Sequence, residues 1–226
     1  MAAGAPGAIA RLDELTRRLR RECPWDREQD ERSIVPHTVE EAYELADAAH
    51  AGDDAKLLDE LGDVLFQVHF LALLLEERGA GDLAQVADHC AEKLIRRHPH
   101  VFGAVEVDGA EAVRRNWDEI KRTSEGRGAD GIFGDVPESM PALSLAAKVQ
   151  RRAAGAGASG HEPLDDVVAG AAALAAADGR EQRFDAVGEL LFAVVRCARA
   201  LDVDPELALR HATQRFRETV EPRATA

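Results

Sequence analysis

The sequence predicts an all-α protein, and three observations carry that expectation. Ala and Leu recur throughout, while aromatic residues make up only 4% of the 226 residues, a composition that favours helix over sheet. Apolar residues return at spacings of three and four, as one face of a helix requires. No stretch alternates apolar and polar residues in the two-residue period of a strand.

The elements follow in order. "MAAGAPGAIA" lacks the basic start and long apolar segment of a secretory signal and is expected to be a disordered tail. A first helix is expected over about 9–22, because Ile9, Leu12, Leu15 and Leu19 share one face. Pro24 disfavours helical geometry in Cys23, so "CPWDREQD" breaks that helix. A second helix is expected to open at Thr38 and run to about His50, with Gly52 suited to its C-terminal cap. A third runs from about Asp54 to Arg78 and a fourth from about Leu83 to Arg97, ahead of Pro99. The very short turn between the second and third makes them an antiparallel hairpin. A short helix is expected in "AEAVRRNWDEIKR". The most apolar run, Val64 to Leu75, contains Gln67 and His69 and is too short to cross a bilayer, so it reads as a buried core helix with no membrane partner.

Residues 123–141, "TSEGRGADGIFGDVPESMP", gather Gly, Pro, Ser and Asp without a helical period and read as a linker between domains at 1–122 and 142–226. The second domain resembles the first. "DELGDVLFQV" at 59–68 parallels "DAVGELLFAV" at 185–194, pairing Asp59 with Asp185, Gly62 with Gly188, Asp63 with Glu189 and Phe66 with Phe192. Ala186 stands opposite Glu60, and the Ala-rich stretch 169–177 has no counterpart of Glu40, Glu41 and Glu44. The chain therefore reads as a helical bundle built from a duplicated hairpin whose second copy is degenerate.

A formal net charge of −14 argues against nucleic acid as a partner, because such proteins present Lys and Arg to phosphates. Cys23, Cys90 and Cys197 are widely spaced and form no CxxC pattern; they read as reduced thiols of a cytoplasmic protein.

Glu41 and Glu44 project from one helix face, as do Glu60 and Asp63, and an antiparallel hairpin can bring the two pairs together. Converging carboxylates repel and raise one another's pKa, a penalty that a divalent cation removes. Oxygen ligands suit Mg²⁺ or Mn²⁺ rather than zinc. Simpler roles stand beside this one. Thr38 and Glu41 fit a capping box, Glu40 suits the dipole of a first turn, and Glu60 with Asp63 fits a solvated face. Against the last, Asp63 runs directly into the apolar segment, beside a Gly62 that would permit close approach of another backbone. A di-iron bundle needs Glu-x-x-His on two helices; no Glu lies three residues before any histidine, and Asp47 with His50 is one weak instance.

"EEAYE" at 40–44 followed by "ELGD" at 60–63, with "CPWDREQ" upstream and "KLIRRHPHVFG" and "NWDEIK" downstream, resembles the MazG nucleoside triphosphate pyrophosphohydrolases. The similarity covers residues 10–152 closely and the rest as an eroded copy. It implies an all-α, usually dimeric enzyme that binds Mg²⁺ and hydrolyses nucleoside triphosphates to the monophosphate and pyrophosphate. Carried over by position, Glu41, Glu44, Glu60 and Asp63 would be metal ligands, with Glu40 a further candidate, and Glu41 or Glu44 would take the proton of the attacking water.

Given that anionic substrate, Lys93, Arg96 and Arg97 are expected to contact phosphates, with Lys121 and Arg122 a second basic cluster; their simpler role is to complement helix C-termini. Trp25 could stack on a base or pack in the core, whereas Trp117, His98 and His100 read as structural. Two other readings remain: a catalytically weak helical module that binds a partner protein, and a relative of the all-α dUTP hydrolases.

Overall fold

The computed structural model describes residues 4–109, 112, 113, 116, 117, 120, 131–134, 136–158 and 163–221. Among them all regular structure is helical, as the composition predicts. The chain divides into two compact units, one ending at Arg96 and the other beginning at Arg97.

The first unit opens with α1, Ala5–Glu22. Part of the expected tail is therefore helix: Pro6 lies at the start of α1, where its missing N–H would be unpaired anyway and its fixed φ suits the first turn. The break at Cys23 is real, since this residue is extended with φ −81° and ψ 123°, but Pro24 then starts a further short helix, α2, Pro24–Glu28.

The next helix differs most from expectation. It begins at Glu31 rather than Thr38 (α3, Glu31–Ala51) and runs through Pro36. Its N-cap is Asp30, whose side chain accepts from the Ser33 N–H while the Ser33 hydroxyl accepts from the Asp30 N–H, a reciprocal cap. The first turn is also pinned by Ile34, which is 1% exposed and packs with Phe70 and Leu74, flanked by Phe66 and Leu71. Burying such a side chain contributes about 1.5–3 kcal/mol, enough to offset much of the hydrogen bond that Pro36 deletes. Thr38 caps nothing: its hydroxyl donates back to Ile34 O at 3.3 Å.

Gly52 closes α3 in the left-handed region, φ 68°, and Asp53 caps α4, Asp54–Glu77, by accepting from the Ala55 and Lys56 N–H groups. The hairpin thus turns in two residues. Much of the apolar run is buried as expected, including Gln67, His69, Phe70, Ala72, Leu73 and Leu74, and among the described residues no helix is long and apolar enough to cross a membrane. Helix α1 is tied to the end of α4 by two bidentate pairs, Arg17 with Glu76 and Arg20 with Glu77. Helix α5, Leu83–Arg97, buries none of its residues.

In the second unit α6, Pro99–Phe102, precedes α7, Ala142–Gly155. Helices α8, Pro163–Ala176, and α9, Gly179–Ala200, form a second hairpin, and α10, Pro205–Val220, follows. A Cβ on Gly170 would lie 3.3 Å from Leu190 Cα, so this glycine permits the close approach of α8 and α9. Of the helix expected around 110–122, residues 112, 113, 116, 117 and 120 are described and are helical; of the linker at 123–141, residues 131–134 and 136–141 are described and carry only turns and bends, the rest lying outside the described residues.

Both hairpins receive an earlier helix on their second arm, α1 on α4 and α7 on α9. Setting Asp59 against Asp185 carries the buried Gln67 and His69 onto Ala193 and Val195, which are buried too. The aligned segments thus share a register of burial as well as a sequence likeness.

Candidate metal centre

Two helices supply the acidic side chains. Glu40, Glu41 and Glu44 stand on α3, and Glu60 and Asp63 on α4. One carboxylate oxygen from each of Glu41, Glu60 and Asp63 lies within 4.8 Å of the other two. The simpler roles for two of these residues do not survive. Thr38 is no N-cap, so Glu41 has no capping duty, and Glu60 is buried at 5% exposure rather than solvated. Asp63 is exposed, which leaves the group open to solvent on one side.

The electrostatics are those of an uncompensated anionic site. Burial raises the Glu41 carboxyl above the ordinary glutamate range, and Asp63, Glu44, Glu60 and Glu40 add to that in descending order. Glu60 is likewise raised by burial and then by Glu44, while Lys56 acts in the opposite direction. Three oxygen donors without imidazole or thiolate match a hard divalent cation such as Mg²⁺ or Mn²⁺, and the raised proton affinities mark the charge that such a cation would neutralise.

The other expected residues are placed as follows. Glu44 is exposed and outside the close triad, yet it is the largest charged influence on Glu60. Glu40 points toward His37, with Oε2 3.8 Å from Nδ1. Trp25 is 51% exposed and meets the His37 ring edge-on at 5.9 Å, so it is not a core residue. Trp117 packs edge-on against His98 at 4.9 Å. Arg96 and Arg97 occupy the last turn of α5 and Lys93 the turn before it; Arg96 and Arg97 are both engaged by other groups. Lys121 lies outside the described residues. Nothing in this chain comes within 4 Å of a Cβ on Gly62, so the close backbone approach expected there is absent among the described residues.

Residues 29–102 match the MazG nucleotide pyrophosphohydrolase domain. The chain is 38% identical over 199 residues to the nucleoside triphosphate pyrophosphohydrolase/pyrophosphatase MazG of Thermotoga maritima, covering 87% of this chain and 76% of that one. The chain belongs to the MazG family. A nucleoside triphosphate pyrophosphohydrolase of Escherichia coli K12 is 36% identical over 222 residues, 92% of this chain and 84% of its own. The crystal structure of a MazG-related protein from Thermotoga maritima aligns with 50% of this chain and 98% of its own at 27% identity and a TM-score of 0.44.

The MazG-matched segment contains all of α3 and α4, and with them every acidic residue of the site. Two residues of this MazG hairpin went unnoticed in the sequence. Lys56 lies four residues before Glu60 on α4 and places Nζ 3.8 Å from Glu60 Oε1; the i,i+4 spacing was a readable signal. His37, one turn before Glu41, became visible only through its contact with Trp25.

Proposed function

We propose that this MazG-family chain hydrolyses nucleoside triphosphates to the monophosphate and pyrophosphate at the carboxylate group on α3 and α4. The observation that carries the reading is the convergence of Glu41, Glu60 and Asp63 from two helices, with oxygens within 4.8 Å. These three, with Glu44 alongside, would hold Mg²⁺, for which Mn²⁺ is a chemically similar substitute. When bound, that ion supplies charge neutralisation for the triphosphate and a lowered pKa for water.

The chain's own groups do the rest. Water attacks the α-phosphorus, the bond from that phosphorus to the bridging oxygen breaks, and pyrophosphate leaves with the bonding pair. Glu44, outside the close triad, takes the proton of the attacking water. Lys56 faces the triad and can balance part of its charge. Trp25 presents an exposed indole to a base, a contact that any base can make, and Lys93, Arg96, Arg97 and Lys121 are assigned to phosphate.

A homodimer belongs to the same reading. Val86, Leu94 and Ile95 on α5 are exposed, and only a few hydrophobic side chains of the first unit are fully buried among the described residues, which favours further burial against a second copy. Three free cysteines support a cytoplasmic setting. The second hairpin, with Ala186 where Glu60 would stand, is assigned no hydrolysis.

The test is pyrophosphate release from a panel of triphosphates including dUTP, with and without Mg²⁺, by wild type, Glu41→Gln and Asp63→Asn. Metal-dependent release lost in both folded variants supports the assignment. Release that survives both would move the chemistry away from this hairpin.

A further inference from the structure

We propose that the second unit docks on a second copy of this chain along α9, through an apolar seam of Phe184, Val187, Leu191, Val194 and Leu201 with Gly188 beside it. The inference does not rest on the hydrolytic reading, and it is separate from the contact of α5 proposed above, because none of these residues belongs to the first unit.

Steps of three and four residues carry the seam from Phe184 through Val187, Leu191, Val194 and Ala198 to Leu201 at the C-cap. That is the repeat of a helix that packs along another helix. The structure leaves this face uncovered: Phe184 is 79% exposed, and Val187, Leu191, Val194 and Leu201 are exposed as well. The flanking faces are occupied. Helix α8 meets α9 at Leu190, opposite Gly170, and α7 reaches it through the buried Gln150, whose Nε2 donates to Phe192 O at 2.7 Å. The seam therefore lies outside the hairpin's own packing.

Gly188 gives a second observation of a different kind. It lies inside α9, where glycine weakens a helix relative to alanine. It flanks the seam, four residues after Phe184 and three before Leu191. Among the described residues nothing comes within 4 Å of a Cβ placed there, so α9 bears that cost with no close contact in its own chain to show for it. A bare stretch of backbone beside an apolar seam admits a partner helix at short distance.

The first hairpin repeats both features. In the register that sets Asp59 against Asp185, Leu58, Leu61, Leu65 and Val68 fall at Phe184, Val187, Leu191 and Val194, and all four are exposed. Gly62 falls at Gly188 and is equally open. Ala186 replaces Glu60 in that register, yet seam and glycine stay, so they serve something other than the acidic group.

The small core of the second unit indicates the occupant. Besides Pro205, its buried apolar residues among those described are Ala193 and Val195, far fewer than a unit of this length gathers in a core of its own. Burial that the fold needs at all times calls for a partner present in equal number, and a second copy meets that condition. An apolar seam is also complementary to itself, as a two-fold contact requires.

Sedimentation equilibrium of the full chain, in EDTA and without nucleotide, tests the proposal. Wild type dimerises, and Leu191→Glu raises the Kd at least about tenfold. Phe184→Ser, at the most exposed position of the seam, does the same and serves if Leu191→Glu does not fold. Gly188→Leu separates docking from stability: diluted to the monomer it melts about 2 °C or more above wild type, because the helix has lost a glycine, yet its Kd is raised about tenfold. Ile95→Glu, which removes the α5 contact, still associates, and adding Leu191→Glu abolishes what remains.

The proposal is overturned if wild type stays monomeric up to about 100 μM, if folded Leu191→Glu and Phe184→Ser associate as tightly as wild type, if Gly188→Leu leaves the Kd unchanged, or if Ile95→Glu alone abolishes association.

Discussion

Glu41 and Asp63 stand on opposite arms of one hairpin, yet a carboxylate oxygen of each lies within 4.8 Å of the other and of one from Glu60. Mutual repulsion across that gap opposes folding of the metal-free protein. Asp63→Asn removes one of the charges raising Glu41 and Glu60. In EDTA this variant should melt slightly higher than wild type, by about 1–3 °C. Its stabilisation by Mg²⁺ and its pyrophosphate release should both be lost. A metal-induced rise in melting temperature equal to that of wild type would remove Asp63 from the cation site.

The raised carboxyls set a pH dependence of definite sign. Glu41 and Glu60 hold protons more tightly in the folded chain than in the unfolded one. The folded state therefore binds more protons in the window above the ordinary glutamate range, and stability falls as pH rises through it. Glu76 and Glu77 are lowered by their arginine partners and act in the opposite sense, losing stability as pH falls. A difference measurement separates the two. The melting temperature of Glu60→Gln minus that of wild type, in EDTA, should grow from pH 4.5 to 6.5. A constant difference would mean that Glu60 titrates normally.

The start of α3 gives a paired test. Asp30→Ala removes the side chain that caps Ser33 and should cost about 1 kcal/mol. Thr38→Ala removes a back-bond to Ile34 O at 3.3 Å and a long contact with Gln67 Oε1 at 3.5 Å and should cost less. Denaturant unfolding of both would give the reverse order if Thr38 were the N-cap.

Arg20 joins three parts of the first unit. Its Nε and Nη2 each donate at 2.8 Å to the Glu77 carboxylate. Its Nη1 donates to Asp26 O and Gln29 O, and its guanidinium lies over Phe70. Arg20→Met should cost about 1–2 kcal/mol, from the lost bidentate pair with Glu77 and from the Gln29 carbonyl left without a donor, while Asp26 O keeps the Gln29 N–H. Because those carbonyls belong to α2 and its C-cap, Trp25 should lose its fixed placement. The variant should then show a raised KM for triphosphate with a smaller change in kcat; a folded variant with unchanged KM would confine Arg20 to stability.

Several features were legible without coordinates because they are local. The helical periods, Gly52 as a left-handed cap and the two-residue turn all depend on residues close in sequence, and they determined an all-α chain with an α3–α4 hairpin. The hairpin in turn implied that Glu41, Glu60 and Asp63 could meet. Local rules failed where a distant contact outweighed them. Thr38 reads as a plausible helix start, but Asp30 capping and the burial of Ile34 against Phe70 and Leu74 carried α3 back to Glu31.

Only the tertiary structure decided which acids converge and which stand aside. Packing depth buries Glu60, leaves Asp63 exposed and turns Glu40 toward His37. It also decided that Arg199 of α9 reaches the Gln150 amide oxygen of α7 at 3.4 Å. Sequence specifies the period and sign of the side chains along each helix; burial and the approach of a second helix set their free energies, and those are properties of the packed fold.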